Sequence, residues 1–117
     1  MALESIPTPE LVTRFADAAK RRDEALLEAD QGRANGWGVE MWEIRGELGR
    51  RNDSHALLSL LDDDDPDVRF NAATVVLHFA PEQAEPVLVA LTSLPVRASI
   101  DAKAMLDLWR QGRLPSP

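Results

Sequence analysis

Apolar residues in this chain recur three and four positions apart, segment after segment. Trp37, Met41, Ile44 and Leu48 fall at i, i+4, i+7 and i+11. That spacing puts all four on one stripe of an α-helix but divides them between both faces of a strand. The same period returns at Val12, Phe15 and Ala19, with Leu11 and Ala18 widening the stripe, and again at Val68, Ala72, Val75, Val76 and Phe79. No segment alternates with period two for long enough to make a strand, so the sequence predicts an all-α chain.

Proline, glycine and short polar residues divide this pattern into about six helices. Thr8-Pro9-Glu10 reads as a helix start, with a hydroxyl cap, proline at the first helical position and an acid near the positive end of the dipole. The first helix is expected to end near Arg22, with DEALLEAD able to extend it. QGRANGWG carries three glycines in eight residues, so the second helix is read from Trp37 to Leu48, closed by Gly49. Asn52 or Asp53 caps a third that runs to about Asp62. A fourth begins at Pro66 and stops before Pro81, a fifth covers about Gln83 to Leu94, and a sixth runs from Arg97 to Arg110. Met105 and Trp109 join Ala98 and Ala102 on the buried face of the last. Consecutive helices are expected to pack antiparallel in a single domain, residues 1–112, followed by a mobile tail, residues 113–117.

Composition narrows the function classes. The 117 residues are 44% hydrophobic and 28% charged, the balance of a globular domain. Cysteine is absent, which removes disulfides, thiolate metal sites and any cysteine nucleophile. No apolar run approaches the roughly 20 residues of a membrane span, and the N-terminus lacks the basic and apolar regions of a secretory signal. The expected location is the cytoplasm. The formal net charge is −7 and the arginines are interleaved with acids, so a phosphate backbone finds no basic stripe. Arg45, Arg50 and Arg51 form a local basic grouping, read as a solvated helix face. The reading therefore expects no nucleic-acid partner and no membrane partner.

Leu57 to Ala80 sets Asp62-Asp63-Asp64-Asp65-Pro66-Asp67 between two apolar runs. An EF-hand loop needs glycine at its sixth position and glutamate at its twelfth. Starting from Asp62 these positions hold Asp67 and Ala73, and from Asp63 they hold Val68 and Thr74. A helix corner explains the run better. Asp65 caps the fourth helix, Pro66 occupies its first position, Asp67 lies in its first turn and Arg69 tempers the charge.

His55 and His78 fall on different helices with no third ligand near them in sequence, so no metal site is expected. Ser54 and His55 are adjacent and point in different directions, which gives no nucleophile–base pair. Neither a catalytic residue nor a cofactor is expected. Of the tryptophans, Trp109 lies on a core stripe, Trp37 sits between two glycines and is read as core, and Trp42 stands one position off its own helix's stripe. Trp42 is left open between core and interface, because tryptophan favours interface anchors.

LLSLLDDDDPDVRFNAATVVLHFAPEQAEPVLVAL resembles a HEAT-type helical repeat of the short bacterial kind, carried by Asp63, Pro66, Val68, Arg69, Ala72 and Ala73. In such repeats an aspartate six positions before the Val-Arg arginine bonds across to a neighbouring repeat, and Asp63 and Arg69 have that spacing, so the resemblance implies this role for Asp63. With LVTRFADAA, DEALLEAD and MWEIRGEL before it, the chain is similar over most of its length to the bacterial domain-of-unknown-function family twenty-nineteen. That family implies an α–α superhelix and no particular activity. Val96-Arg97 begins a second copy that is not sustained, since Ile100 and Asp101 stand where small residues are wanted.

The expected function is a non-enzymatic protein interaction module, a small HEAT-like adaptor, with the immunity partner of a basic toxin as one such role. The competing class is a HEAT-type enzyme related to lyases or DNA glycosylases. An acidic chain steers basic partners toward itself. The expected contact surface comprises His55 and Asp62 on the third helix and Glu85 and Val89 on the fifth, with Trp42 as a second anchor.

Overall fold

A computed structural model of the chain describes residues 3–114. It is 79% helical, and no strand occurs among the described residues, so the apolar period sets the fold class. The α-helices are α1 (Thr8–Leu27), α2 (Gln31–Arg50), α3 (Pro66–Val76), α4 (Pro81–Leu91) and α5 (Arg97–Arg110). Two 3-10 segments, Leu3–Ser5 and Ser54–Asp62, accompany them. The third helix expected from sequence is thus the longer 3-10 segment. The chain divides into two compact units, Met1–Leu60 and Leu61–Pro117.

In the first unit α1 and α2 form a helical hairpin. Thr8, the first residue of α1, receives a hydrogen bond from Arg51 Nη1 (3.1 Å) and donates one to Asp53 Oδ2 (2.6 Å). The start of α1 therefore lies beside the end of α2, and the two run antiparallel. Leu11, Phe15, Ala18 and Ala19 of α1 and Met41, Ile44 and Leu48 of α2 are buried, as the spacing predicts, whereas Val12 of the same predicted stripe is only half-buried. Trp37 is half-buried, with Arg21 of α1 5.5 Å from its ring centroid.

Both hairpin helices differ in extent from the sequence reading. α1 continues through DEALL to Leu27, and α2 begins at Gln31, so Gly32, Gly36 and Gly38 are helical. Glycine disfavours a helix by only about 1 kcal/mol relative to alanine, which tertiary packing overrides. The break falls at Ala29 instead, with φ 57°. There Asp30 N–H bonds to Ala25 O (2.8 Å) and Ala29 N–H to Leu26 O (3.1 Å), a Schellman closure. Asn52 (φ 55°) closes α2 in the same way through Asp53 N–H to Leu48 O and Asn52 N–H to Gly49 O. Gly112 (φ 69°) closes α5 through Arg113 N–H to Leu108 O and Gly112 N–H to Trp109 O. The backbone turns left-handed at all three, and only at the last does the sequence advertise it with glycine. Residues 115–117 of the expected tail lie outside the described residues.

In the second unit α3, α4 and α5 pack on one another. Val68, Ala72, Val76, Leu88, Ala102 and Leu106 are among its buried side chains. Arg110, at the end of α5, reaches Glu85 in α4 at 3.3 Å. α3 stops at Val76 rather than at Pro81, and Pro81 instead opens α4 at its first position. Phe79, beyond the end of α3, is consequently 43% exposed.

The acidic corner folds as a cap. Asp65 Oδ1 accepts from Asp67 N–H (2.8 Å) and Val68 N–H (3.3 Å), and Asp63 Oδ1 accepts from Asp65 N–H (2.9 Å). Pro66 is the first residue of α3. Arg69 Nη1 donates to the Asp63 and Asp64 carbonyls (2.7 and 3.2 Å). Asp63 and Arg69 do meet, but through a backbone carbonyl inside one turn. The Asp63 carboxylate accepts from a local amide, that of Asp65.

Candidate functional site

The sequence-predicted contact residues are distributed over both units. His55 is exposed in the first, with Nε2 3.3 Å from Asp53 Oδ1, a pair that is ionic when the ring is protonated. Asp62 is exposed in the second. Val89 is 44% exposed beside a groove of about 380 Å³ lined by Val89, Thr92, Lys103, Leu106, Asp107 and Arg110. Glu85 already has its counter-charge in Arg110. With Lys103 and Arg110 on its wall, this groove is mixed in charge rather than acidic.

Trp42 is the most conspicuous side chain of the first unit. Met41 belongs to the buried stripe of α2, and one helical residue further round the ring points outward, 64% exposed. Arg45, one turn on, lies over the ring at 5.4 Å from its centroid. Partial desolvation lowers the Arg45 pKa, but a guanidinium stays charged in a protein. Beside the ring is a groove of about 270 Å³ lined by Leu3, Glu4, Trp42, Glu43, Gly46 and Arg50.

A buried acid anchors that face. Glu47 is 5% exposed and accepts from Arg50 Nε (3.2 Å), Arg50 Nη2 (3.0 Å) and Arg51 Nε (2.8 Å). The Arg51 hydrogen bond, then that of Arg50, holds its pKa below the usual carboxylate value. Arg51 also donates to Leu3 O (2.9 Å) and to Thr8. One side chain thus ties the first 3-10 turn, α1 and α2 together. Arg50 and Arg51 are committed to Glu47 and Arg45 to Trp42, so the local basic grouping seen in sequence is internally engaged.

Sequence reasoning missed Glu47 and the contributions of Glu4 and Gly46. The Glu47–Arg51 spacing of four was a usable signal for an ion pair. Nothing local told that the acid would be buried, and Glu4 reaches the groove only through the fold. Among the described residues no group of three His, Cys, Asp or Glu is arranged to hold a metal ion. None of their helices is long and apolar enough to cross a membrane.

Comparisons with known proteins agree with this architecture. No curated protein matches the chain. Among solved structures the chain is similar to that described as "Crystal Structure of the Protein RPA1889 from Rhodopseudomonas palustris CGA009". The identity is 33% and the TM-score 0.94, covering 100% of this chain and 99% of that one. Residues 9–109 match the family described as "Domain of unknown function (DUF2019)". With that match spanning most of its length, the chain belongs to the DUF2019 family.

Proposed function

We propose that the chain is a non-enzymatic interaction module, a small HEAT-like α–α adaptor acting in the cytoplasm on a basic protein partner. Neutralising a basic toxin is one role of this kind. The observation that carries the reading is Trp42, a large aromatic 64% exposed on a regular helix. Leaving an indole in water forgoes the burial that tryptophan otherwise contributes to folding, and aromatic side chains in that position concentrate at protein interfaces. The net charge of −7 supports a basic partner, since it raises the encounter rate with cations at low salt.

Affinity capture from the native host tests this, with wild-type chain and Trp42→Ala side by side. The reading expects a basic protein recovered with wild type and depleted with the variant, and released as salt is raised. Recovery of nucleic acid, of an acidic protein, or of the same protein with both forms contradicts it.

A further inference from the structure

We propose that the groove beside Trp42 seats an arginine side chain of the partner, with Glu4 and Glu43 as its counter-charges. The inference rests on the interaction reading above and specifies its chemistry. Three features of the groove converge on a guanidinium.

The first is charge. Glu4 and Glu43 both line the groove and both are exposed, and neither has an ion-pair partner among those found for the described residues. Arg50, the basic member of the lining, is bound to Glu47 through both Nε and Nη2. Glu4 and Glu43 are therefore the acids of the lining that are open to a cation, whereas Arg50 is held by Glu47. The second is the ring. Arg45 lies over Trp42, so this indole already accepts a guanidinium, and a second planar cation along the groove meets an aromatic wall and two carboxylates.

The third is space. A Cβ placed on Gly46 would meet only Arg50 Nη1, at 3.5 Å, which is ordinary contact. The fold does not need glycine at this helix position, where glycine is unfavourable. What its missing side chain does is keep the groove floor open next to Trp42.

The test uses end-blocked Gly-Gly-Xaa-Gly-Gly peptides with Xaa arginine, citrulline or glutamate. Indole N–H resonances of the full chain are followed at low salt, with Trp109 as the internal control. The Arg peptide should shift the Trp42 resonance saturably at millimolar concentration, while the neutral citrulline and acidic peptides leave it in place. Glu4→Gln with Glu43→Gln should weaken that binding about fivefold, as two exposed ion pairs would. Gly46→Leu should abolish it while holding or raising the thermal midpoint, which separates occlusion from unfolding. Equal shifts with arginine and citrulline, no shift at all, or unchanged binding by Gly46→Leu overturns the inference. A captured partner that depends on Trp42, alongside an unresponsive Arg peptide, would overturn this seat and leave the interaction reading standing. A responsive Arg peptide with no captured partner would do the reverse.

Discussion

Arg51 Nε lies 2.8 Å from Glu47 Oε2, one turn along α2, and the acid it holds has a side chain only 6% exposed. The same guanidinium reaches Leu3 O and Thr8 Oγ1. One guanidinium therefore ties together the N-terminal turn, the start of α1 and the end of α2.

Arg51→Met should lower the thermal midpoint more than Arg50→Met. Arg51 bridges three segments and is 22% exposed, whereas Arg50 serves only Glu47 and is 68% exposed. Losing Arg51 leaves Glu47 with the exposed Arg50 alone and takes a donor from both Leu3 O and Thr8. Equal midpoints for the two variants would show that the bridge to Leu3 and Thr8 adds nothing.

The Glu47 pKa is depressed in the folded state by Arg51 and Arg50. Its stabilisation is therefore complete above the unfolded carboxylate value, about 4.3, and is lost as pH falls through the lower folded value. Glu47→Gln should be less stable than wild type at neutral pH, with the gap closing in strong acid. Urea titrations at several pH values check this, and a gap that widens on acidification would contradict it.

Asp65→Ala should cost about 1 kcal/mol, because its carboxylate satisfies two amides at the start of α3. Asp64→Ala should cost little, since Asp64 is exposed and contributes its backbone carbonyl to Arg69. Chemical denaturation of the two variants gives the comparison.

Gly36 is helical and exposed, and an added Cβ would meet nothing within 4 Å. Gly36→Ala should stabilise by about 1 kcal/mol. Ala29→Gly should also stabilise, by about 0.5–1 kcal/mol, by relieving a left-handed alanine at the Schellman closure. Thermal melts that fall for either variant would contradict the helix boundaries described here.

Periodicity made the helices legible because Met41, Ile44 and Leu48, or Val68, Ala72 and Val76, repeat with the period of the surface they must bury. The boundaries were less legible. A break at Ala29 depends on a positive φ that alanine does not signal, and the glycines of α2 invite a loop that packing overrules. Nine residues rich in leucine cannot distinguish α from 3-10 spacing, so Ser54–Asp62 was readable as a helix but not as its tighter form. The corner was legible in full at Asp65 and Pro66, since capping is local chemistry. The groove was not, because Glu4 and Trp42 are 38 positions apart in sequence and meet only once α1 and α2 have folded.

The central claim is that the surface at Trp42 meets a protein partner, and in-cell photo-crosslinking tests it most directly. Trp42→p-benzoylphenylalanine, expressed in the native host, should yield a discrete adduct with a basic protein, and Lys20→p-benzoylphenylalanine on the exposed side of α1 should not. The Trp42 substitution should leave stability within about 0.5 kcal/mol of wild type, as at other exposed positions. No adduct at residue 42, or the same adducts at both positions, would contradict the account.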